Sequence, residues 1–116
     1  MTADERTHEE IVRACFRAYQ SGDRELIESL IAADHRFWSP VDSGLDRETY
    51  FDRCWANHEQ VGEIEFERMV SDGDAIYTTY TGTRPDGSRF RNTELHTIRD
   101  GQVVRTEVYF GWDVED

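Results

Sequence analysis

Apolar residues recur at helical spacing along the first half of the chain and at every second position along the second half. Ile11, Val12, Cys15, Phe16 and Tyr19 fall on one helical face. Thr7-His8-Glu9-Glu10 ahead of them has the form of a capping box, so a first helix is expected to begin near Thr7 and to end at Ser21-Gly22. Asp23 caps a second helix with Leu26, Ile27, Leu30 and Ile31 as its apolar face. Phe37-Trp38-Ser39 reads as a short extended piece stopped by Pro40. Asp46 can cap a third helix, with Tyr50, Phe51, Cys54 and Trp55 as its buried stripe. From Gly62 the period changes to two, predicting strands over 63–71, 75–84, 88–99 and 102–112. Asp72-Gly73-Asp74, Pro85-Asp86-Gly87 and Asp100-Gly101 join them; short connections carrying Gly with Asp favour antiparallel hairpins. Helices first and strands afterwards predict an α+β protein. No repeat, low-complexity tract or linker divides the chain, so one domain over residues 1–116 is expected.

Strand parity then singles out three polar residues. On the last strand Val104, Thr106, Val108, Phe110 and Trp112 form the more apolar set and are expected to face the helices. On the strand before it, Phe90 and Ile98 assign their own set to the inside, and Asn92, Glu94 and His96 go with them. A buried, unpaired carboxylate is costly. Neighbours two apart on one face lie roughly 7 Å from each other, so the trio could meet through one water or one ligand atom. Burial would raise the Glu94 pKa, and a protonated His96 would pull it down. Three readings stay open: a polar-floored ligand cavity, an internal network that only fixes the sheet, or a bulge that flips the set outward. The opposite face would carry Tyr77, Thr79, Thr81, Thr93, Leu95, Thr97, Glu107 and Tyr109. It is partly apolar with nothing in the chain left to cover it, so a homodimer through this outer face is expected, against the alternative of a solvated sheet.

Charge and composition narrow the partners. The net charge is -12, with 13 Lys+Arg, all of them Arg, against 25 Asp+Glu, which argues against nucleic acid and anionic membranes as partners. No apolar run is long enough to span a bilayer, and Met1-Thr2-Ala3-Asp4-Glu5-Arg6 has no apolar core of a secretory signal, so a cytoplasmic location is the expectation. Cys15 and Cys54 fall in helical patterns with no CxxC and are expected to be small buried hydrophobes. His8, His35, His58 and His96 form no HExxH, HxH or Cys/His cluster, so neither a metal nor another cofactor is expected. No phosphate-binding glycine loop or Gly-x-Ser-x-Gly elbow occurs.

The order helix, Gly-Asp hinge, helix, short strand, helix and four long strands resembles the SnoaL-like branch of the nuclear-transport-factor-two-like superfamily, which includes ketosteroid isomerase, scytalone dehydratase and limonene epoxide hydrolase. The residues carrying the likeness are Ala18-Tyr19-Gln20-Ser21-Gly22-Asp23, Pro85-Asp86-Gly87-Ser88, and Arg99-Asp100-Gly101-Gln102-Val103-Val104 leading into Val108-Tyr109-Phe110. The resemblance implies a cone-shaped barrel, or cystatin-like roll, in which a curved, mostly antiparallel sheet wraps around three N-terminal helices. It also implies a pocket for a small apolar molecule and homodimers through the outer sheet face. In ketosteroid isomerase a helix-one tyrosine and a strand acid form an oxyanion hole, and an aspartate is the base. Counting from the hinge puts Cys15 at the tyrosine and Ser39 at the base; only Glu94 lines up with a family acid. The last-strand aspartate of the epoxide hydrolase pattern falls at Val108. Both activities are therefore set aside.

Two functions remain expected. One is an acid-base enzyme of isomerase, dehydratase or cyclase type on a small apolar carbonyl-containing metabolite. In it Glu94 is general base or acid, His96 its proton partner and Asn92 a donor to the carbonyl. The pocket wall would come from Tyr19, Phe37, Trp38, Ser39, Trp55, Thr78, Tyr80, Thr106, Val108 and Phe110. Tyr19 could point its hydroxyl into the pocket, though its helical spacing fits a core tyrosine better, and Trp38 and Trp55 fit core or pocket wall better than cofactor stackers. The other is a non-catalytic dimeric ligand-binding or interaction module of the same fold.

Overall fold

The Thr7 hydroxyl accepts the backbone N–H of Glu10 at 3.1 Å and opens the first helix, α1, His8–Ser21. In the computed structural model, which describes residues 7–55 and 62–115, Gly22 closes α1 with φ 71°, a left-handed conformation that costs glycine least. The Asp23 carboxylate then caps α2, Arg24–Leu30, and Asp46 caps α3, Arg47–Arg53. The expectations for Met1–Arg6 and for His58 fall outside the described residues.

Among the described residues six strands follow or intervene: β1 Ile31–Ser39, β2 Asp42–Leu45, β3 Ile64–Asp72, β4 Ala75–Thr83, β5 Arg89–Arg99 and β6 Gln102–Val114. They form one sheet in the order β2-β1-β6-β5-β4-β3. All neighbours are antiparallel except β1 and β6, which run parallel. The sheet is open, with β2 and β3 as its edges, and its concave face wraps the helices. The architecture is the expected α+β roll, with the cone left unclosed. Among the described residues no helix is long and apolar enough to cross a membrane.

The core joins α1 residues Ile11, Val12, Cys15 and Phe16 to Ile27 and Leu30 of α2. Tyr50 and Phe51 of α3 and the inner strand residues Ile76, Tyr80, Ile98 and Val103 complete it. The four long strands lie within two residues of the predicted ranges. Two differences concern the first half. Ile31 is not on the helix: its φ of -97° and ψ of 123° are already extended, and it pairs with Val103. The extended piece around Phe37 therefore begins six residues earlier. The segment Ala32-Ala33-Asp34-His35 lacks apolar alternation, and the pairing is irregular between Ile31 and Arg36, so its strand character is invisible without β6. The short edge strand β2, formed by the turn back from Pro40, was not predicted.

Two bulges correct the face assignment on β6. Thr97 pairs with Arg105 but Ile98 pairs with Val103, so Val104 is the extra residue and Val103, not Val104, enters the core. A second irregularity lies between Phe90 and Asn92, opposite Gly111. A Cβ on Gly111 would stand 2.2 Å from the Arg91 carbonyl oxygen, so only glycine lets the strands approach there. This bulge turns Trp112 away from the inner face; its ring lies 5.5 Å from the Arg91 guanidinium and is mostly exposed.

Candidate functional site

Between α1, α3 and the inner sheet face lies a cavity of about 320 Å³. Its wall is predominantly apolar: Phe16, Ile27, Ile31, Phe37, Ile64, Phe90 and Val108, with Val41 and Phe110 at its exposed rim. Among the described residues no Lys or Arg lines it. The polar groups that do are Asn92, Glu94 and His96 from β5, Tyr80 from β4, Thr106 from β6, Tyr19 from α1, Tyr50 from α3, and Ser39 and Asp42.

The strand period puts Asn92, Glu94 and His96 on one face, and Tyr80 reaches across from the neighbouring strand. Its hydroxyl donates to Glu94 Oε2 at 2.6 Å, and the Asn92 amide donates to that hydroxyl at 3.4 Å. Burial pushes the Glu94 pKa up from 4.5 to about 7, and the Tyr80 hydrogen bond, which favours the ionised form, holds it back. His96 Nε2 lies 3.5 Å from Glu94 Oε1. This is not an ion pair near neutral pH. Burial, with a smaller contribution from His35, lowers the His96 pKa to about 4, so its ring is neutral where Glu94 titrates. Two opposite charges here would cost more desolvation than a contact of this length returns.

A hydroxyl pair completes the lining. Tyr19 and Tyr50 share a hydrogen bond through their phenolic oxygens, and burial raises both pKa values, so both remain protonated. One proton of the pair is spent between them, and among the described residues the other meets no acceptor. Cys15 and Cys54 also line the cavity, with thiols pushed by burial to about 12 and about 11. They stay protonated and act as small hydrophobes. At the rim, Ser39 donates to Asp42 at 3.0 Å and Arg53 approaches the other Asp42 oxygen at 2.9 Å.

Of the residues proposed from sequence, Tyr19, Phe37, Ser39, Tyr80, Asn92, Glu94, His96, Thr106, Val108 and Phe110 line the cavity together. Three do not. Trp38 has the opposite parity from Phe37 and lies under the Arg105 guanidinium at 3.9 Å. Trp55 packs behind the wall against Tyr19, ring centroids 5.1 Å apart. Thr78 is fully buried beneath the lining. Asn92 is also more committed than a free carbonyl donor: its oxygen accepts the Gly111 N–H of the bulge at 3.3 Å.

Sequence reasoning missed Tyr50, read only as core stripe, and also Asp42 and His35. Extending the Phe37 strand backwards by two residues would have placed His35 inside. It also left Cys15 where a hydroxyl was wanted. Tyr19, one helical turn on, and Tyr50 bring hydroxyls to that wall. Among the described residues no group of three His, Cys, Asp or Glu side chains could hold a metal ion. A broader depression of about 750 Å³ beside α2 and α3 is a charged surface groove; its Arg24 and Arg47 lie over Phe51, and Arg47 also donates to backbone carbonyls.

An open curved sheet wrapped on three helices is the fold this chain shares with NTF2-like proteins. The chain belongs to the SnoaL-like family, whose domain model matches residues 12–106. No curated protein matches it at a significant level. Solved structures share the fold. IdmH of Streptomyces antibioticus, provisionally assigned as a polyketide cyclase, is 24% identical over 89% of this chain and 91% of its own, with a TM-score of 0.68. An LEH-like epoxide hydrolase of M. tuberculosis is 21% identical over 90% and 82%, TM-score 0.74. An NTF2-like protein of Burkholderia xenovorans is 19% identical over 94% and 86%, TM-score 0.75.

Proposed function

We propose that this protein is a proton-transfer enzyme acting on a small apolar molecule that carries a carbonyl group. Isomerisation, dehydration or aldol-type cyclisation is the class of reaction. One arrangement carries the reading: a buried carboxyl group, pushed up to about 7 by burial, in an apolar cavity that also holds a hydrogen-bonded tyrosine pair. Glu94, as carboxylate, takes the proton from the carbon beside the carbonyl. The C–H electron pair becomes a new C=C bond and the C=O π pair moves onto the carbonyl oxygen, which the Tyr19–Tyr50 pair holds with its free hydroxyl proton. The protonated Glu94 then returns the proton elsewhere on the molecule, with neutral His96 beside it as proton partner. Among the described residues no Lys or Arg lines the cavity to meet a carboxylate or phosphate, which favours an uncharged substrate.

The test is deuterium uptake at the carbons flanking the carbonyl of 1-decalone in D2O, followed by NMR. Wild-type protein accelerates uptake, and Glu94→Gln lowers that acceleration at least about 100-fold. Full activity in the glutamine variant sinks the reading.

The partner we propose is a second copy docked on the outer sheet face. Val70, Tyr77 and Leu95 stand in register across β3, β4 and β5, with Tyr109 on β6 nearby. Val70, Tyr77 and Tyr109 are 48%, 41% and 52% exposed, large apolar side chains on one face of neighbouring strands. Light scattering is expected to give a dimer at micromolar concentration and Leu95→Arg to weaken it; a stable wild-type monomer refutes this.

A further inference from the structure

Two buried groups at the back of the cavity take no part in this chemistry. His35 on β1 is fully buried, and its Nε2 lies 2.9 Å from the Thr106 hydroxyl. Thr106 on β6 is 4% exposed, lines the cavity and pairs across the sheet with His96. His35 Nδ1 is buried without a hydrogen-bond partner among the described residues.

That orphaned nitrogen decides the tautomer. A neutral imidazole has one N–H. On Nδ1 the proton would be a buried donor with no acceptor, an omission worth about 1–3 kcal/mol. On Nε2 it donates to Thr106 and leaves only a lone pair unmet at Nδ1, the lesser omission. The ring does not charge at neutral pH. Burial and Arg47 lower its pKa to about 4 against the opposing pull of Asp34, and its other neighbour is the Tyr50 ring, centroids 5.0 Å apart. Thr106 is therefore the acceptor in this bond and keeps its own proton. Among the described residues nothing else is bonded to that hydroxyl.

We propose that Thr106, oriented by His35, is a second recognition point in the cavity, donating its hydroxyl proton to an acceptor oxygen of the bound molecule. The proposal rests on the reading of the cavity as a ketone site and narrows the substrate class to an apolar scaffold with two separated oxygens. One oxygen meets the tyrosine pair and the other meets Thr106. Thr106 lies opposite His96, which is two residues along β5 from Glu94, about 7 Å on a strand. The oxygen that meets Thr106 thus lies along the sheet from the carbon that Glu94 deprotonates, as in a diketone or hydroxyketone. His35 is a positioning residue; it touches Thr106 and not the ligand.

Two measurements test this. Nitrogen-15 NMR of the imidazoles in the wild-type protein is expected to find His35 neutral at pH 7 with its proton on Nε2. A proton on Nδ1, or a charged ring, overturns the proposal whatever any variant does. Affinities for 1-decalone and decalin-1,5-dione are then compared in wild type and Thr106→Val, which keeps the side-chain shape. The variant is expected to lose about three- to tenfold more affinity for the diketone than for 1-decalone, the worth of one neutral hydrogen bond. Equal losses on both ketones make Thr106 a structural residue and overturn the proposal. Binding of neither ketone by wild type refutes the ketone-site reading itself, and this proposal with it. Binding of 1-decalone with no Thr106-dependent gain for the diketone defeats this proposal alone.

Discussion

Replacing Glu94 by Gln isolates the energetic consequence of placing a carboxyl group in this cavity. Glutamine keeps the shape and an acceptor oxygen for Tyr80 but removes the titration. In the unfolded chain the glutamate ionises around 4.5; in the folded protein it holds its proton to about 7. Between these values the folded state binds more protons than the unfolded state, so wild-type stability falls as pH rises, by about 1.4 kcal/mol for each pH unit. The loss across the window is about 3 kcal/mol and is complete above the folded pKa. The glutamine variant has no such loss. Its stability relative to wild type is therefore expected to climb by about 3 kcal/mol between pH 4.5 and 7 and to stay level beyond. Urea unfolding of both proteins across that range measures it directly, because the comparison cancels every other titrating group that the substitution leaves alone. A difference that stays flat with pH would mean that Glu94 ionises as an ordinary exposed carboxylate, and the cavity would lose its acid-base group.

Tyr80→Phe removes the hydrogen bond that favours the Glu94 carboxylate, so the carboxyl carbon-13 titration midpoint is expected to move above about 7; a downward move refutes the arrangement. His35 and His96 are both held neutral down to about 4 against an ordinary 6.5. In the unfolded chain they take protons below 6.5, so in the Glu94→Gln background stability is expected to fall by about 1.4 kcal/mol per pH unit for each histidine between 6.5 and 4. An acid-side plateau in urea unfolding would show that the rings are accessible. Gly111→Ala sets a methyl against the Arg91 carbonyl, 2.2 Å away, and is expected to cost about 2–3 kcal/mol in the same assay; a loss below about 0.5 kcal/mol would mean that the bulge yields freely.

Local pattern alone determined the capped helices, the long antiparallel strands and their hairpins, because caps, turn residues and period-two alternation act over a few residues. The same period put Glu94 and His96 on the concave face, since Phe90 and Ile98 anchor that parity from both ends of β5. Only the tertiary structure decided the rest. Ile31 leaves the helix because Val103, some seventy residues away in sequence, offers it a parallel partner. The Val104 and Gly111 bulges reverse parity on β6, a one-residue change that no alternating pattern reveals and that sends Val103 inward and Trp112 outward. The tyrosine pair joins two helices that the sequence separates, and the His35–Thr106 bond crosses from β1 to β6. Each depends on non-local pairing, where desolvation and the need to satisfy buried polar groups outweigh local preference.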